Sequence, residues 1–275
     1  MKIIVMGSAA YERIPALFCN CPVCQTAKKL GGRNIRTEAQ VLIDDELLVD
    51  FGQDNYLHFL TGAYDFTKIK NILITHSHSD HYIPENFSMT VPPYGHNDIE
   101  KLGVFGNAEC GELFKNVGAE TKAEYTAVKP YETFSVGKFT VTALPASHGT
   151  VCPLCYVIAD GNKTLLYNND TGFFSDEVYD FLKSQKYKFD AVIADSTVGF
   201  LPTNGKRHMS FENNVMHKAR LERIGVVDAS TKYIINHFSH NGLIKDGRVV
   251  TAEMLEKIAS DNGMICAYDG FTIEI

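Results

Sequence analysis

Three of the ten histidines in this 275-residue chain fall within Thr75-His76-Ser77-His78-Ser79-Asp80-His81, directly after the apolar run Asn71-Ile72-Leu73-Ile74. Four side chains able to bind a metal therefore sit close together at the end of what reads as a buried strand. In extended backbone, residues two apart point to the same side, so His76 and His78 can share one cation. Asp80 and His81 follow where the chain turns, and they can serve a second cation close by. A polar loop that is His-rich by chance would leave this ligand spacing unexplained. The segment makes a dinuclear metal-dependent hydrolase the reading to test.

Two cations need more donors, and strand ends downstream supply them. His148 follows the apolar run Phe139–Leu144, Asp170 follows Thr164–Tyr167, and His237 ends Tyr233-Ile234-Ile235-Asn236. Taken singly, each is a turn aspartate or a strand-capping histidine. Together with the four-ligand run they form a set: His76, His78 and His148 on one cation, Asp80, His81 and His237 on the other, and Asp170 bridging. A second group stands apart. Cys19, Cys21 and Cys24 make a C-x-C-x-x-C hook that wants a fourth ligand, and His240, three residues after His237, can turn back to supply it. A closed set of three thiolates and one imidazole is a structural zinc arrangement with no open position for substrate. Seven cysteines is an odd number, which favours reduced thiolates on a metal over disulfides and a cytoplasmic setting. Cys152 and Cys155 lack a second half-site and read as packing, as do Cys110 and Cys266. His58, His96 and His217 lack partners and read as structural.

The elements that must carry these groups are short apolar runs bounded by turn residues: Ile3–Met6, Ala39–Ile43, Leu47–Asp50, Asn71–Ile74, Gly103–Phe105, Phe139–Leu144, Tyr156–Ala159, Thr164–Tyr167, Ala191–Ala194, Tyr233–Asn236 and Phe271–Ile275. Amphipathic helices are expected near Asn55–Leu60, Cys110–Lys115, Ser175–Lys183, Phe211–Ile224 and Ala252–Ser260. The mixture predicts an α/β protein with sheets packed face to face and helices outside. With no repeat or linker, residues 1–275 read as one domain, carrying the cysteine loop at about 17–26. Tyr82–Asp98, with three prolines, reads as an irregular loop beside the site. A 45% hydrophobic content supports a large core, and a net charge of −7 argues against a broad nucleic-acid footprint. No run approaches a membrane span, and Met1–Gly7 is too short an apolar stretch for a signal peptide and reads as a first strand.

The ordered set from His76 to His237 resembles the metallo-β-lactamase superfamily, as does Leu47-Leu48-Val49-Asp50-Phe51-Gly52, an early strand ending in Asp-x-Gly. The resemblance extends from Ile3 to His240 and implies a four-layer αββα sandwich with the metals at one edge of its two sheets. One departure is Tyr82-Ile83-Pro84 after His81, where the family often has a glycine, so the loop behind the second metal is expected to run differently. Asn20-Cys21-Pro22-Val23-Cys24 and His237-Phe238-Ser239-His240 are similar to the PhnP-type phosphodiesterases within that superfamily. The transfer-RNA 3′-processing endonucleases share His237-Phe238-Ser239, but no cysteine hook or basic Gly-rich arm matches theirs.

The chemistry implied is attack by a hydroxide bridging two cations, whose bound water has a pKa of about 7. His208, before the helix at Phe211–Ile224, resembles the histidine that such phosphodiesterases place opposite the metals. It is the candidate general acid, and Asp80 joins it among the catalytic residues. Asp50 and Asp195 are the candidates for orienting the ligands or His208. Zinc or manganese, with iron also compatible, would fill the catalytic pair, and one further zinc the cysteine site. The expected substrate is a small phosphodiester, cyclic forms included, with no long nucleic acid, no membrane and a homodimer left open. A hydrolase of a lactone, thioester or other acyl ester is the alternative, and a metal-binding sensor without turnover is a third reading.

Overall fold

The computed structural model describes residues 1–275 apart from 63, 116, 118 and 119. Two seven-stranded sheets carry the fold. The first comprises β1 (Lys2–Gly7), β2 (Gln40–Ile43), β3 (Leu47–Val49), β4 (Asn71–Leu73), β5 (Leu102–Gly106), β6 (Ala123–Ala127) and β16 (Phe271–Glu274), in the order β16-β1-β2-β3-β4-β5-β6. The second comprises β7 (Thr133–Val136), β8 (Phe139–Pro145), β9 (Leu154–Ala159), β10 (Thr164–Asn168), β11 (Ala191–Asp195), β12 (Lys232–Asn236) and β15 (Ile265–Cys266), in the order β15-β12-β11-β10-β9-β8-β7. Each sheet is half antiparallel and half parallel. β3 to β6 are parallel in the first, and β10, β11, β12 and β15 in the second. A small hairpin, β13 (Ile244–Lys245) with β14 (Arg248–Val249), lies outside both.

Side-chain alternation along the strands builds the layers. Ile3 and Val5 of β1 point into the space between the sheets, with Val41, Ile43, Leu47 and Val49, and meet Val141, Tyr156, Ile158, Leu165, Tyr167 and Ile193 of the second sheet. Ile4 and Met6, one residue out of phase, face the opposite side with Leu42, Leu48, Ile72 and Val104. Period-two alternation with both faces apolar is what a sheet covered on both sides requires. The outer face of the first sheet packs on Phe51, Phe87 and Cys110, the last from α3 (Ala108–Phe114), while α2 (Asn55–Gly62) lies near β1. The outer face of the second, with Val157, Leu166, Val192, Ala194 and Ile235, packs on α1 (Pro22–Leu30), α4 (Asp176–Ser184), α5 (Phe211–Arg223) and α6 (Ala252–Asp261) through Val23, Val178, Leu182, Leu221 and Leu255. The result is the four-layer αββα sandwich.

The structure differs from the sequence reading in several places. β6, β7 and β15 escape a search for apolar runs because they are solvated or very short strands at sheet edges. β6 and β7 are largely solvated, and β15 spans two residues. α1 was hidden inside the cysteine hook: Pro22 opens it, and the Cys21 side chain caps it by accepting the Cys24 N–H. Tyr82–Asp98 is not wholly irregular, because Pro84–Thr90 winds as a 3₁₀ helix that buries Phe87. Cys155, Cys110 and Cys266 are buried, but Cys152 is exposed at positive φ, so packing does not describe it. Among the described residues, no helix is long and apolar enough to cross a membrane.

Candidate metal centres

The donors gather at one end of the sandwich, where β4, β8, β10, β11 and β12 deliver the chain into turns. Asp50, Asp170 and His237 follow the ends of β3, β10 and β12, and all three have positive φ: 69°, 49° and 64°. Aspartate tolerates this conformation better than most residues, whereas for histidine it costs about 1–2 kcal/mol that the surroundings must offset. The early Asp-x-Gly turn has a tight steric reason. A Cβ on Gly52 would stand 1.9 Å from the Asp80 carbonyl oxygen, so the Asp50 turn can approach the histidine-rich loop only with glycine there.

Two lobes result. In the first, His76 Nε2 lies 3.0 Å from His78 Nδ1, and His148 Nε2 lies 3.1 Å from the same Nδ1. In the second, His81 Nε2 lies 3.1 Å from Asp80 Oδ2, and the donor atoms of Asp80, His81 and His237 lie within 4.8 Å of one another. Asp170 joins the lobes. Its Oδ2 is 3.0 Å from His81 Nε2 and 2.9 Å from His237 Nε2, while its Oδ1 is 3.8 Å from His148 Nε2.

The donor set fits cations on two grounds. His81 Nε2, His237 Nε2 and Asp170 Oδ2 are buried and close, yet none is in hydrogen-bonding geometry with another partner. Buried polar atoms are seldom left so. Charge points the same way. Burial, then neighbouring imidazoles, hold His76 well below its ordinary pKa, and burial lowers His148, leaving both neutral as a ligand must be. In the other lobe burial again lowers His81, but Asp80, Asp170 and Asp50 outweigh it and raise the group well above its ordinary value. His237 is likewise raised, Asp170 outweighing burial. Burial pushes the Asp170 carboxyl up, and His237 and His81 more than reverse this, to well below the carboxylate range. Protons on two imidazoles thus balance carboxylates that divalent cations would balance instead.

A ring of further residues fixes the donors. Asp50 Oδ1 accepts from the Thr75 backbone N–H and hydroxyl, both at 2.8 Å, and its Oδ2 sits 2.7 Å from His81 Nδ1, which leaves Nε2 for the cluster. Asp195 does the same across the cleft. Its Oδ1 accepts from the Met209 N–H at 2.7 Å, and its Oδ2 accepts from the Thr197 hydroxyl at 2.7 Å and from His208 Nδ1 at 2.9 Å. Thr197 Oγ1 in turn is 2.7 Å from His237 Nδ1. Burial lowers the His208 pKa, but the Asp195 charge and hydrogen bond outweigh it and raise the imidazole to about 9. Its ring is 4.8 Å from that of His148. Thr75 and Thr197 had no assigned role in the sequence, since a hydroxyl beside a ligand has no spacing signature. The only hint was that each stands next to a candidate, before His76 and two after Asp195.

The site opens into a cleft of about 460 Å³, with His78, Asp80, His148, Asp170, His208 and His237 on its floor and Tyr11 and Glu12 on one wall. Behind that wall lies the cysteine group. The sulfurs of Cys19, Cys21 and Cys24 and a His240 ring nitrogen lie within 4.8 Å of one another, with Nδ1 3.3 Å from Cys21 Sγ and 3.7 Å from Cys19 Sγ. Backbone N–H groups of Cys21, Ala16 and Cys24 point at the three sulfurs. The Cys21 N–H lowers the Cys19 thiol, whereas burial pushes Cys24 up to about 12. The three sulfurs could not all ionise without a cation between them.

A model of the β-lactamase superfamily domain matches residues 46–229, two thirds of the chain. The chain belongs to this superfamily. As a member of the superfamily with this fold and donor cluster, it is a metal-dependent hydrolase. The exodeoxyribonuclease YycJ of Bacillus anthracis is 25% identical to it over 228 residues, covering 78% of this chain and 82% of that one. Among solved structures, a diphosphatase from the PhnP family superposes with a TM-score of 0.75 at 19% identity, covering 100% of this chain and 97% of that one. Zinc-bound PqqB from Methylobacterium extorquens superposes with a TM-score of 0.72 at 17% identity over the whole of both chains. Within the superfamily frame, His237 and the cysteine group fall outside the matched stretch, so the fold rather than the matched sequence brings them to the site.

Proposed function

We propose that the chain is a dinuclear phosphodiesterase acting on a small phosphodiester. The observation that carries this reading is His208 on the floor of the cleft, whose Nδ1 is 2.9 Å from Asp195 Oδ2 and 3.8 Å from the Asp170 carboxylate that joins the two donor lobes, which leaves Nε2 as the nitrogen to donate. An alkoxide leaving from phosphorus needs a proton, and this imidazole stands beside the cluster with one to give.

Bound at His76, His78, His148, Asp80, His81, His237 and Asp170, two divalent cations would supply an activated water near neutral pH and offset charge growing on the phosphoryl oxygens. The residues themselves do the positioning. Asp50 directs His81, and Asp195 directs His208 and, through Thr197, His237. His208 carries its proton on the nitrogen away from Asp195 and delivers it to the departing oxygen, an effect typically worth about 10²–10⁴-fold. Imidazole and carboxylate donors suit zinc, manganese or iron, and the thiolate-rich second site suits zinc.

The relative and neighbour in the comparisons bear names of phosphorus-oxygen chemistry, an exodeoxyribonuclease and a diphosphatase, which supports the same bond class here. A net charge of −7 and a cleft of this volume favour a small substrate over a polyanion gripped by surface cations.

The test is turnover after loading with manganese or zinc. The substrates are bis(p-nitrophenyl) phosphate, a single-stranded oligodeoxynucleotide, a lactone and a thioester. Turnover of the small diester, abolished by Asp170→Ala with the fold retained, is the expected result. Faster cleavage of the oligonucleotide would transfer the reading to a nuclease, and acyl turnover alone to an acyl hydrolase. No turnover at full metal occupancy would leave a binding or sensing protein.

A further inference from the structure

One wall of the cleft is built by residues that the chemistry above does not use. After β1 the chain is pinned at Ala10, whose N–H donates to the Phe238 carbonyl at 3.0 Å. It is pinned again at Ile14, which exchanges backbone hydrogen bonds of 2.9 and 2.7 Å with Arg36. Between them, Arg13 is tied to Glu38 at 2.7 Å and Asp54 at 2.9 Å. Tyr11 and Glu12 are thus the middle of a strap fixed at both ends and closed by the Arg13 N–H donating to the Ala10 carbonyl at 2.9 Å, and both line the catalytic cleft.

Their chemistry differs from that of the floor. Tyr11 is 57% exposed and contributes nothing to the core, so an aromatic face is held in water at the mouth of the site. The Glu12 carboxylate accepts from the Ser239 hydroxyl and lies 3.9 Å from His240 Nε2, so it is held from behind by the segment that carries His237 and His240. The charged groups lining the cleft are Glu12, Asp80 and Asp170, with imidazoles from His78, His148, His208 and His237; among the described residues no lysine or arginine lines it. Cations on the floor can balance one phosphoryl group. Arg13, the adjacent cation, is engaged by Glu38 and Asp54, so a second phosphate near Glu12 would meet a carboxylate, whereas a hydroxyl or ring nitrogen could donate to it.

We infer that Tyr11 and Glu12 are specificity-determining residues that receive the uncharged, ring-bearing half of a singly charged diester, with Tyr11 stacking on the ring and Glu12 rejecting a further phosphate. This rests on the phosphodiesterase reading and narrows its substrate class to nucleoside-like or aryl diesters.

The test compares three probes on the metal-loaded full chain: methyl p-nitrophenyl phosphate, the p-nitrophenyl ester of thymidine 5′-phosphate, and that ester carrying a 3′-phosphate. The unaltered protein should prefer the second over the third. Glu12→Gln, which keeps an acceptor for Ser239, should narrow that preference about 10-fold through the KM of the phosphorylated probe, as loss of a like charge close by would. Tyr11→Ala should lower the preference for the thymidine ester over the methyl ester about 10-fold, again through KM, the scale of one base–aromatic stack. Zinc content and melting temperature are read for both variants. Equal losses on all three probes would assign the strap a merely structural role and overturn the inference, as would unchanged preferences. A protein that turns over none of the three overturns the phosphodiesterase reading first, which separates the two failures.

Discussion

His148 and His208 have rings 4.8 Å apart and opposite protonation behaviour. Burial lowers His148, while Asp195 outweighs burial at His208 and raises it to about 9. One carboxylate thus turns the same side chain from a neutral imidazole into a charged one, as the proposed roles of ligand and proton donor require. His208→Ala should therefore keep the full metal content and slow esters of poor leaving groups by about 10²–10⁴-fold, leaving p-nitrophenyl esters much less affected. Rates across a leaving-group series, with metal analysis alongside, measure it; a uniform loss would remove the acid role. What the sequence disclosed at this scale follows the same logic. His76, His78, Asp80 and His81 are legible because ligand types at strand-end spacing are rare, and Cys19, Cys21 and Cys24 for the same reason. Thr75, Thr197, Tyr11 and Glu12 are ordinary residues whose role comes only from what the fold sets beside them.

Elements decide which strand ends matter. The interior strands were legible because both of their faces are apolar, as in Ala191-Val192-Ile193-Ala194 of β11, whereas β6 and β7 carry exposed polar positions along a sheet edge. α5, expected near Phe211–Ile224 as an amphipathic stretch, starts at Phe211, where Ser210 and Asn213 form a reciprocal cap. One residue of α5 gives the element a pH signature. His217 is fully buried between α4 and the second sheet, with Nδ1 2.6 Å from the Tyr179 hydroxyl and Nε2 accepting from Asn168 Nδ2 at 3.4 Å. Arg220, stacked 3.7 Å over the Tyr179 ring, opposes a second charge there. Burial first, and Arg220 second, lower its pKa to about 3. The unfolded chain takes up this proton near pH 6.5 and the folded chain does not, so the stability present above pH 6.5 is lost as pH falls toward 3. The loss is at most about 1.4 kcal/mol per pH unit. Melting curves of His217→Gln should start lower at pH 8 and fall less steeply below pH 6.5 than those of the unaltered protein. Parallel curves would show that His217 is protonated in the folded state as readily as outside it.

At the scale of the whole molecule, the N-terminal strap and the last active-site loop are distant in sequence and are joined at the cysteine group. Cys19, Cys21 and Cys24 belong to the entry into α1, and His240 follows His237 by three residues. Glu12 touches Ser239 between them, so the same junction fixes the wall of the cleft and the position of a catalytic donor. A zinc there would tie together segments 216 residues apart (Cys24 to His240), and its binding free energy would be folding free energy. Cys24→Ser should therefore lose one equivalent of zinc and lower the melting temperature by about 2–4 °C for each kcal/mol lost. It should also raise KM more than it lowers kcat, because the strap loosens while His237 is still held by Thr197 and Asp170. Cys24 is fully buried, so a loss of stability alone could come from packing. Metal stoichiometry separates the causes: zinc per chain must fall by one while the catalytic metals remain. If Cys24→Ser melts early but binds as much zinc as before, the hook is a packed thiol cluster, and the strap is held without a metal.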